Sequence, residues 1–107
     1  MLDQDIEPST DHRPMLAPNK LTAESRLDFR RAVLEALEAA IRAGAKSVEI
    51  DLGATTEVDA SGLGVLILLQ KRARERGLAV RLLKVPSKVD ELLDSTRLGA
   101  LFEIVRD

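Results

Sequence analysis

The chain has 107 residues, a formal net charge of −2 and no cysteine, with 45% apolar and 32% charged residues. This length and balance indicate one folded domain with a core of modest size. The absence of cysteine excludes disulfides and thiolate chemistry. Two aromatic residues cannot build a base-stacking platform, and the weak negative charge does not favour nucleic acid or anionic membranes.

Residues 1–19 form a polar arm interrupted by prolines, and we expect it to be flexible, with residues 20–107 forming the domain. At most, Pro14 to Ala17 is expected to add a short strand at a sheet edge. The arm lacks the basic flank and apolar run of a secretory signal, and no apolar run is long enough to span a bilayer. We therefore expect a cytoplasmic protein.

The rest of the sequence alternates helical and extended patterns. Apolar residues recur at helical spacing from Ala23 to Ala43, with Thr22 as the predicted N-cap and Gly44 ending the helix. The elements predicted after it are a strand over Ser47 to Leu52, a polar loop over Gly53 to Ala60, a helix over Ser61 to Arg76 and a strand over Leu78 to Val85. A third helix is predicted to begin at Pro86 and Ser87, where Ser87 and Asp90 have the spacing of a capping box. The last predicted element is a strand over Leu101 to Val105. Strands alternating with helices predict an α/β domain with a mainly parallel sheet flanked by helices.

A small polar corner containing Gly62 and Gly64 stands directly before the most apolar run of the chain. Ser61 suits the N-cap of the second helix, because a serine oxygen accepts hydrogen bonds from the first N–H groups. The same place would suit a phosphoryl group, which would meet free N–H donors and the positive end of the helix dipole. The residues alone leave both interpretations open.

Other chemistry fits these residues poorly. The glycine spacings of dinucleotide and phosphate-binding loops are absent, and Asp59 stands where a GxSxG nucleophile would need glycine. The single histidine, His12, lies in the proline-rich arm. Asp59 and Asp51 are better explained as acceptors for loop N–H groups or as solvent-facing side chains, and Lys71 to Arg76 as a solvated helix end. We therefore expect no metal, no cofactor and no enzymatic activity.

The order of elements, together with IDL at Ile50 to Leu52 and DASGLGVL at Asp59 to Leu66, resembles the STAS domains, the sulfate-transporter and anti-sigma-factor-antagonist family. The similarity runs from about Leu21 to Val105. It implies a switch that binds an anti-sigma factor that is also a serine kinase. The kinase phosphorylates the serine before the glycine, here Ser61, which breaks the complex, and a phosphatase reverses the modification. The partner-binding residues implied by the resemblance are Thr56, Asp59, Ala60, Ser61, Gly62, Leu63 and Gly64.

The sequence departs from this family at its beginning, where typical members have a pair of strands and this chain has only residues 1–19. We therefore expect a shortened N-terminal edge of the sheet, which could pair with a second copy of the chain. An alternative within the family is an adaptor subunit of an ABC-type lipid transporter that does not use the phosphate.

Overall fold

Short strands and α-helices alternate along residues 13–106, which are the residues that the computed structural model describes. The elements are β1 (Met15–Leu16), β2 (Lys20–Leu21), α1 (Arg26–Arg42), β3 (Ser47–Asp51), β4 (Glu57–Val58), α2 (Ala60–Glu75), β5 (Ala79–Leu83), α3 (Ser87–Thr96) and β6 (Glu103–Val105), with 3₁₀ turns at Ala23–Ser25 and Gly99–Leu101. The predicted helices and longer strands are all present, with ends that move by a few residues. The largest shift is at the start of the first helix, where Ala23–Ser25 form a 3₁₀ turn and α1 begins at Arg26.

All strand pairs described are parallel. A four-stranded sheet has the order β1-β3-β5-β6, and β2 pairs with β4 in a separate two-stranded sheet. In the centre, Val48 lies opposite Val80 and Ile50 opposite Leu82, and these four side chains are buried. The fold class predicted from the alternating pattern is therefore confirmed.

The core lies between this sheet and the helices. α1 contacts both β3 and α2, and α2 contacts β5, so the first two helices cover the sheet together. The buried helix residues are Phe29, Val33, Leu37 and Ala40 from α1, Gly62, Leu63, Val65, Leu66, Leu69 and Ala73 from α2, and Val89 and Leu93 from α3. Residues 65–70 of α2 are all buried or half-buried, whereas Lys71, Arg72 and Arg74 near its end are exposed. Those cations form a solvated helix end, as predicted.

The chain packs against the sheet before residue 20. Met15 and Leu16 pair with Ile50 and Asp51, and the Ala17 N–H donates a 2.9 Å hydrogen bond to the Asp51 carbonyl. Ala17 is buried. The short edge strand predicted within Pro14 to Ala17 is confirmed, so packing begins before the predicted domain boundary at residue 20. Residues 1–12 lie outside the described residues, and for them the flexible arm stays a prediction.

The predicted capping box of Ser87 and Asp90 does not form. Pro86 is the N-cap of α3, and the Asp90 N–H donates to the Pro86 carbonyl over 2.9 Å. The Asp90 carboxylate instead accepts two hydrogen bonds from the Arg106 guanidinium, at 3.0 and 3.2 Å. A planar guanidinium matches a carboxylate in this paired geometry. The Asp90 side chain therefore binds Arg106, the residue after β6, and does not cap its own helix.

We predict that the Asp90 carboxyl titrates at a lower pH than an ordinary aspartate. Its hydrogen bonds to Arg106 favour the charged form and lower its pKa. Because the folded-state pKa is depressed, the stabilisation by this pair is present above the ordinary aspartate pKa and is lost as the pH falls through the lowered value. NMR titration of the side-chain carboxyl should show the pKa rising in Arg106→Gln and unchanged in Lys88→Gln. An Asp90 pKa that is the same in Arg106→Gln as in the wild-type chain would contradict this explanation.

Candidate functional site at the start of the second α-helix

The polar corner is held in place by the segment before α1. β2 pairs with β4 so that Leu21 lies opposite Val58. The Asn19 carbonyl accepts the Thr56 N–H at 2.8 Å and the Glu57 N–H at 3.1 Å. β4 falls inside the region predicted as a polar loop, because two residues give no recognisable strand pattern. The corner is therefore built by two parts of the chain that are distant in sequence.

Asp59, not Ser61, is the N-cap of α2. Its Oδ1 accepts the Ser61 N–H at 2.8 Å and the Gly62 N–H at 3.2 Å, and its Oδ2 accepts the Ala23 N–H at 3.2 Å. The prediction of Ser61 as N-cap is thus wrong, since Ser61 lies inside the first turn. An aspartate caps a helix as well as a serine does, and two oxygens let this one also reach the start of the first helix. The interpretation of Asp59 as an acceptor of backbone N–H groups is confirmed.

The same contacts show that the expectation of free N–H donors for a phosphoryl group at the start of α2 is wrong. The N–H groups of Ser61 and Gly62 are already bound to Asp59 and are not free donors for an incoming anion. A phosphate on Ser61 would compete with the Asp59 carboxylate for these donors, because both groups are negatively charged acceptors.

Two of the predicted partner-binding residues are inside the domain. Leu63 is 5% exposed and belongs to the core. Gly62 is buried against Leu21, and a Cβ at Gly62 would lie 2.1 Å from the Leu21 carbonyl oxygen. Gly62 is therefore glycine because another backbone of the same chain approaches it closely, not because a partner does. Both residues are buried in the folded chain, and the partner contacts predicted for them stay a prediction.

The remaining predicted residues are accessible. Thr56, Asp59, Ala60 and Gly64 are exposed and Ser61 is half-buried, and we call these five residues the Ser61 corner. Within residues 13–106, no group forms a hydrogen bond with the Ser61 hydroxyl. The Thr56 hydroxyl donates to the Asn19 carbonyl over 3.2 Å. The corner therefore presents a serine hydroxyl without a hydrogen bond from residues 13–106, beside a carboxylate whose two oxygens both accept backbone N–H groups.

The structure shows contacts of Thr55 and Asp51 that fix the ends of the loop before the Ser61 corner. Thr55 is buried, and its hydroxyl donates a 2.8 Å hydrogen bond to the Pro18 carbonyl, which attaches the loop to the N-terminal segment. Asp51 caps its own loop through the Gly53 N–H at 2.8 Å and lies 3.8 Å from the Lys84 ammonium, so the predicted structural role of Asp51 is confirmed. His12 lies outside the described residues.

The described part of the chain contains neither a metal-ligand cluster nor a membrane-spanning helix. Across residues 13–106, no three side chains from His, Asp and Glu are grouped closely enough to hold a metal ion. None of the helices in this range combines the length and the apolar character that crossing a bilayer requires.

Comparison with known proteins extends this description. A family model described as "Mlab, STAS domain" matches residues 10–105. No curated protein matches the sequence significantly. Among the solved structures that match is a Thermotoga maritima protein named as a candidate anti-sigma factor antagonist, with a TM-score of 0.70, 23% sequence identity, and coverage of 86% of this chain and 78% of that one. At this identity the solved structure supports the fold alone.

We predict that Gly62→Ala lowers the free energy of unfolding by about 3 kcal/mol, since the added methyl group meets the Leu21 backbone. Gly64→Ala is the matched control, because a Cβ there meets nothing within 4 Å. It should leave stability unchanged or raise it by up to about 1 kcal/mol through helix propensity. Urea unfolding followed by circular dichroism measures both. Equal effects at the two glycines would contradict the close approach of β2.

We predict that Asp59→Ala lowers the free energy of unfolding by about 2 kcal/mol, because three backbone N–H groups lose their acceptor. Asp59→Asn should cost less, since its single carbonyl oxygen can still cap α2. Glu57→Ala removes an exposed neighbouring acid and serves as the control. The same urea measurement applies, and a loss in Asp59→Ala no larger than in Glu57→Ala would show that the cap contributes little.

Proposed function

The chain belongs to the STAS domain family, and on that premise we propose that it is an anti-sigma factor antagonist-like binding module switched off by phosphorylation of Ser61. Its partner would be an anti-sigma factor that is also a serine kinase, with a phosphatase restoring the unmodified form. In this proposal the chain needs no cofactor, catalyses no reaction and works in the cytoplasm.

The observation that carries the proposal is the Ser61 hydroxyl itself. It is half-exposed in the first turn of α2, and no group within residues 13–106 hydrogen-bonds to it. A kinase must reach the hydroxyl oxygen, and a hydroxyl without a structural hydrogen bond can be modified without first breaking one. Ser95 and Thr96 differ in this respect, since their hydroxyls donate to carbonyls of their own helix.

The contacts of Asp59 indicate how a phosphate would act. A phosphoserine carries about −1.5 to −2 charges at neutral pH. On Ser61 it would stand next to a carboxylate that already accepts the Ser61 and Gly62 N–H groups. Repulsion would push Asp59 away, and the bond from its other oxygen to the Ala23 N–H would weaken with it. Phosphorylation would therefore change both the charge of the Ser61 corner and its connection to the segment before α1.

The exposed residues of the Ser61 corner are also suited to contact with a partner. Ala60 and Gly64 are exposed on the same side of α2, one helical turn apart, and a Cβ on Gly64 would meet open space. Small residues let a partner backbone lie close to the helix. A phosphate placed in such a contact would add a desolvation cost and repulsion from any acidic group nearby.

A second candidate is an adaptor subunit of an ABC-type lipid transporter. It is favoured by the description of the matching family model, which names Mlab beside the STAS domain. In that case the same exposed corner would be a permanent contact and Ser61 would not be modified.

We predict that a purified anti-sigma factor kinase from the same cell phosphorylates the wild-type chain once, at Ser61, and that Ser61→Ala abolishes the modification while keeping binding within about threefold. Ser61→Asp should weaken binding by roughly tenfold or more, because it adds charge beside Asp59. Mass spectrometry locates the phosphate, and titration calorimetry measures the affinity.

Ser87→Asp is the matched control, since it adds the same charge at the exposed start of α3. Thermal unfolding of each variant separates lost binding from lost folding. Phosphate at another residue, or unmodified Ser61 after incubation with every such kinase, would overturn the proposal. Unchanged binding of Ser61→Asp to a transporter ATPase subunit, with no binding to any anti-sigma factor, would establish the adaptor instead.

A further inference from the structure

α1 carries a second apolar stripe besides the one buried in the core. Leu27, Leu34 and Ile41 are spaced seven residues apart and follow one line along the helix, roughly 100° around the axis from the buried face. Leu27 is 66% exposed, whereas Leu34 and Ile41 are half-buried and pack in part against the core. A shallow surface groove runs along this line and is lined by Leu27, Leu34 and charged neighbours. We call this line the outer stripe of α1.

Charged residues of both signs line the groove beside the outer stripe. Arg31, towards its beginning, and Glu38, towards its end, lie on the same flank of the stripe, roughly 50° around the helix axis from it, and Arg30, Glu35 and Arg42 also line the groove. No ion pair within residues 13–106 uses any of these five side chains, although Glu38 and Arg42 are one turn apart. Their charges are available to a molecule that docks on the stripe.

A second copy of the same helix, running antiparallel, places these opposite charges together. With the two-fold axis at Leu34, Leu34 meets its own counterpart and Leu27 meets Ile41 of the second copy. The same pairing places Arg31 beside Glu38 of the second copy, and this pair occurs twice because of the symmetry. In a parallel two-fold dimer the flank that carries Arg31 and Glu38 would face the opposite flank of the second copy, so the pair would not form.

We propose that the outer stripe of α1 is a homodimer interface in which a second copy of this chain packs antiparallel about Leu34. The helix has 17 residues and is therefore about 25 Å long. Its contact is smaller than the roughly 800 Å² per partner of a standard interface, so the dimer is reversible and depends on concentration. This interface is separate from the sheet edge at β1 and does not include the Ser61 corner.

Charge reversal tests the pairing. Sedimentation velocity of the wild-type chain should show a shift from monomer to dimer as concentration rises. Arg31→Glu and Glu38→Arg should each weaken association by at least about tenfold, since each creates two repulsions in place of two attractions. The double variant restores unlike pairs and should recover to within about threefold of wild type. Arg72→Glu, at the exposed end of α2, is the control and should associate normally.

A cysteine cross-link tests the axis. The chain has no cysteine, so Leu34→Cys can form a disulfide only between two copies at the two-fold axis. Under mild oxidation it should give a covalent dimer, whereas Ala39→Cys, exposed away from the stripe on the same helix, should not. A chain that stays monomeric at every concentration up to about 1 mM would overturn the proposal. The proposal would also be overturned by a dimer whose association is the same in the charge variants as in the wild type and that does not cross-link through residue 34.

Discussion

The Asp59 carboxylate is the contact on which the geometry of the corner depends. Its two oxygens collect N–H groups from the first turn of α2 and from the start of the 3₁₀ turn before α1. Beside it, the absence of a side chain at Gly62 lets the Leu21 backbone come into direct contact with the helix. Together these contacts set where α2 begins. They also explain why Leu63 points into the core while Ser61 stays at the surface.

The parallel sheet gives the domain two different faces. Alternate residues of β3 and β5 are buried under the helices, and those between them are half-buried. On that second face Arg81 forms ion pairs with Glu49 and Glu103 on the strands at either side. Parallel sheets are usually covered on both faces by apolar packing, and here charged side chains occupy the uncovered one. The apolar burial that holds the fold therefore lies on the helix side, beside α1 and α2.

Sequence patterns predicted the fold well and the corner only in part. Periodicities of the longer elements are strong, so α1, α2, β3 and β5 were located within a few residues of their observed ends. The N-cap was misplaced because serine and aspartate are both good caps, and nothing in the sequence shows which side chain also has a distant N–H to bind. The internal contact of Gly62 was missed for a similar reason, and the sequence-based interpretation assigned this glycine to partner binding. Its neighbour Leu21 is far away in sequence, and the two-residue strand that brings it there has no detectable pattern.

The hydrogen bonds of Asp59 also determine how the corner opens. The N–H groups of Ala23, Ser61 and Gly62 share one acceptor side chain, although 36 positions separate Ala23 from Asp59. Solvent reaches such amides when the shared contact breaks, so their hydrogen exchange should be correlated. The start of α2 and the segment before α1 then belong to one cooperative opening unit. Detachment of either segment from the domain would therefore weaken the attachment of the other through the Asp59 carboxylate.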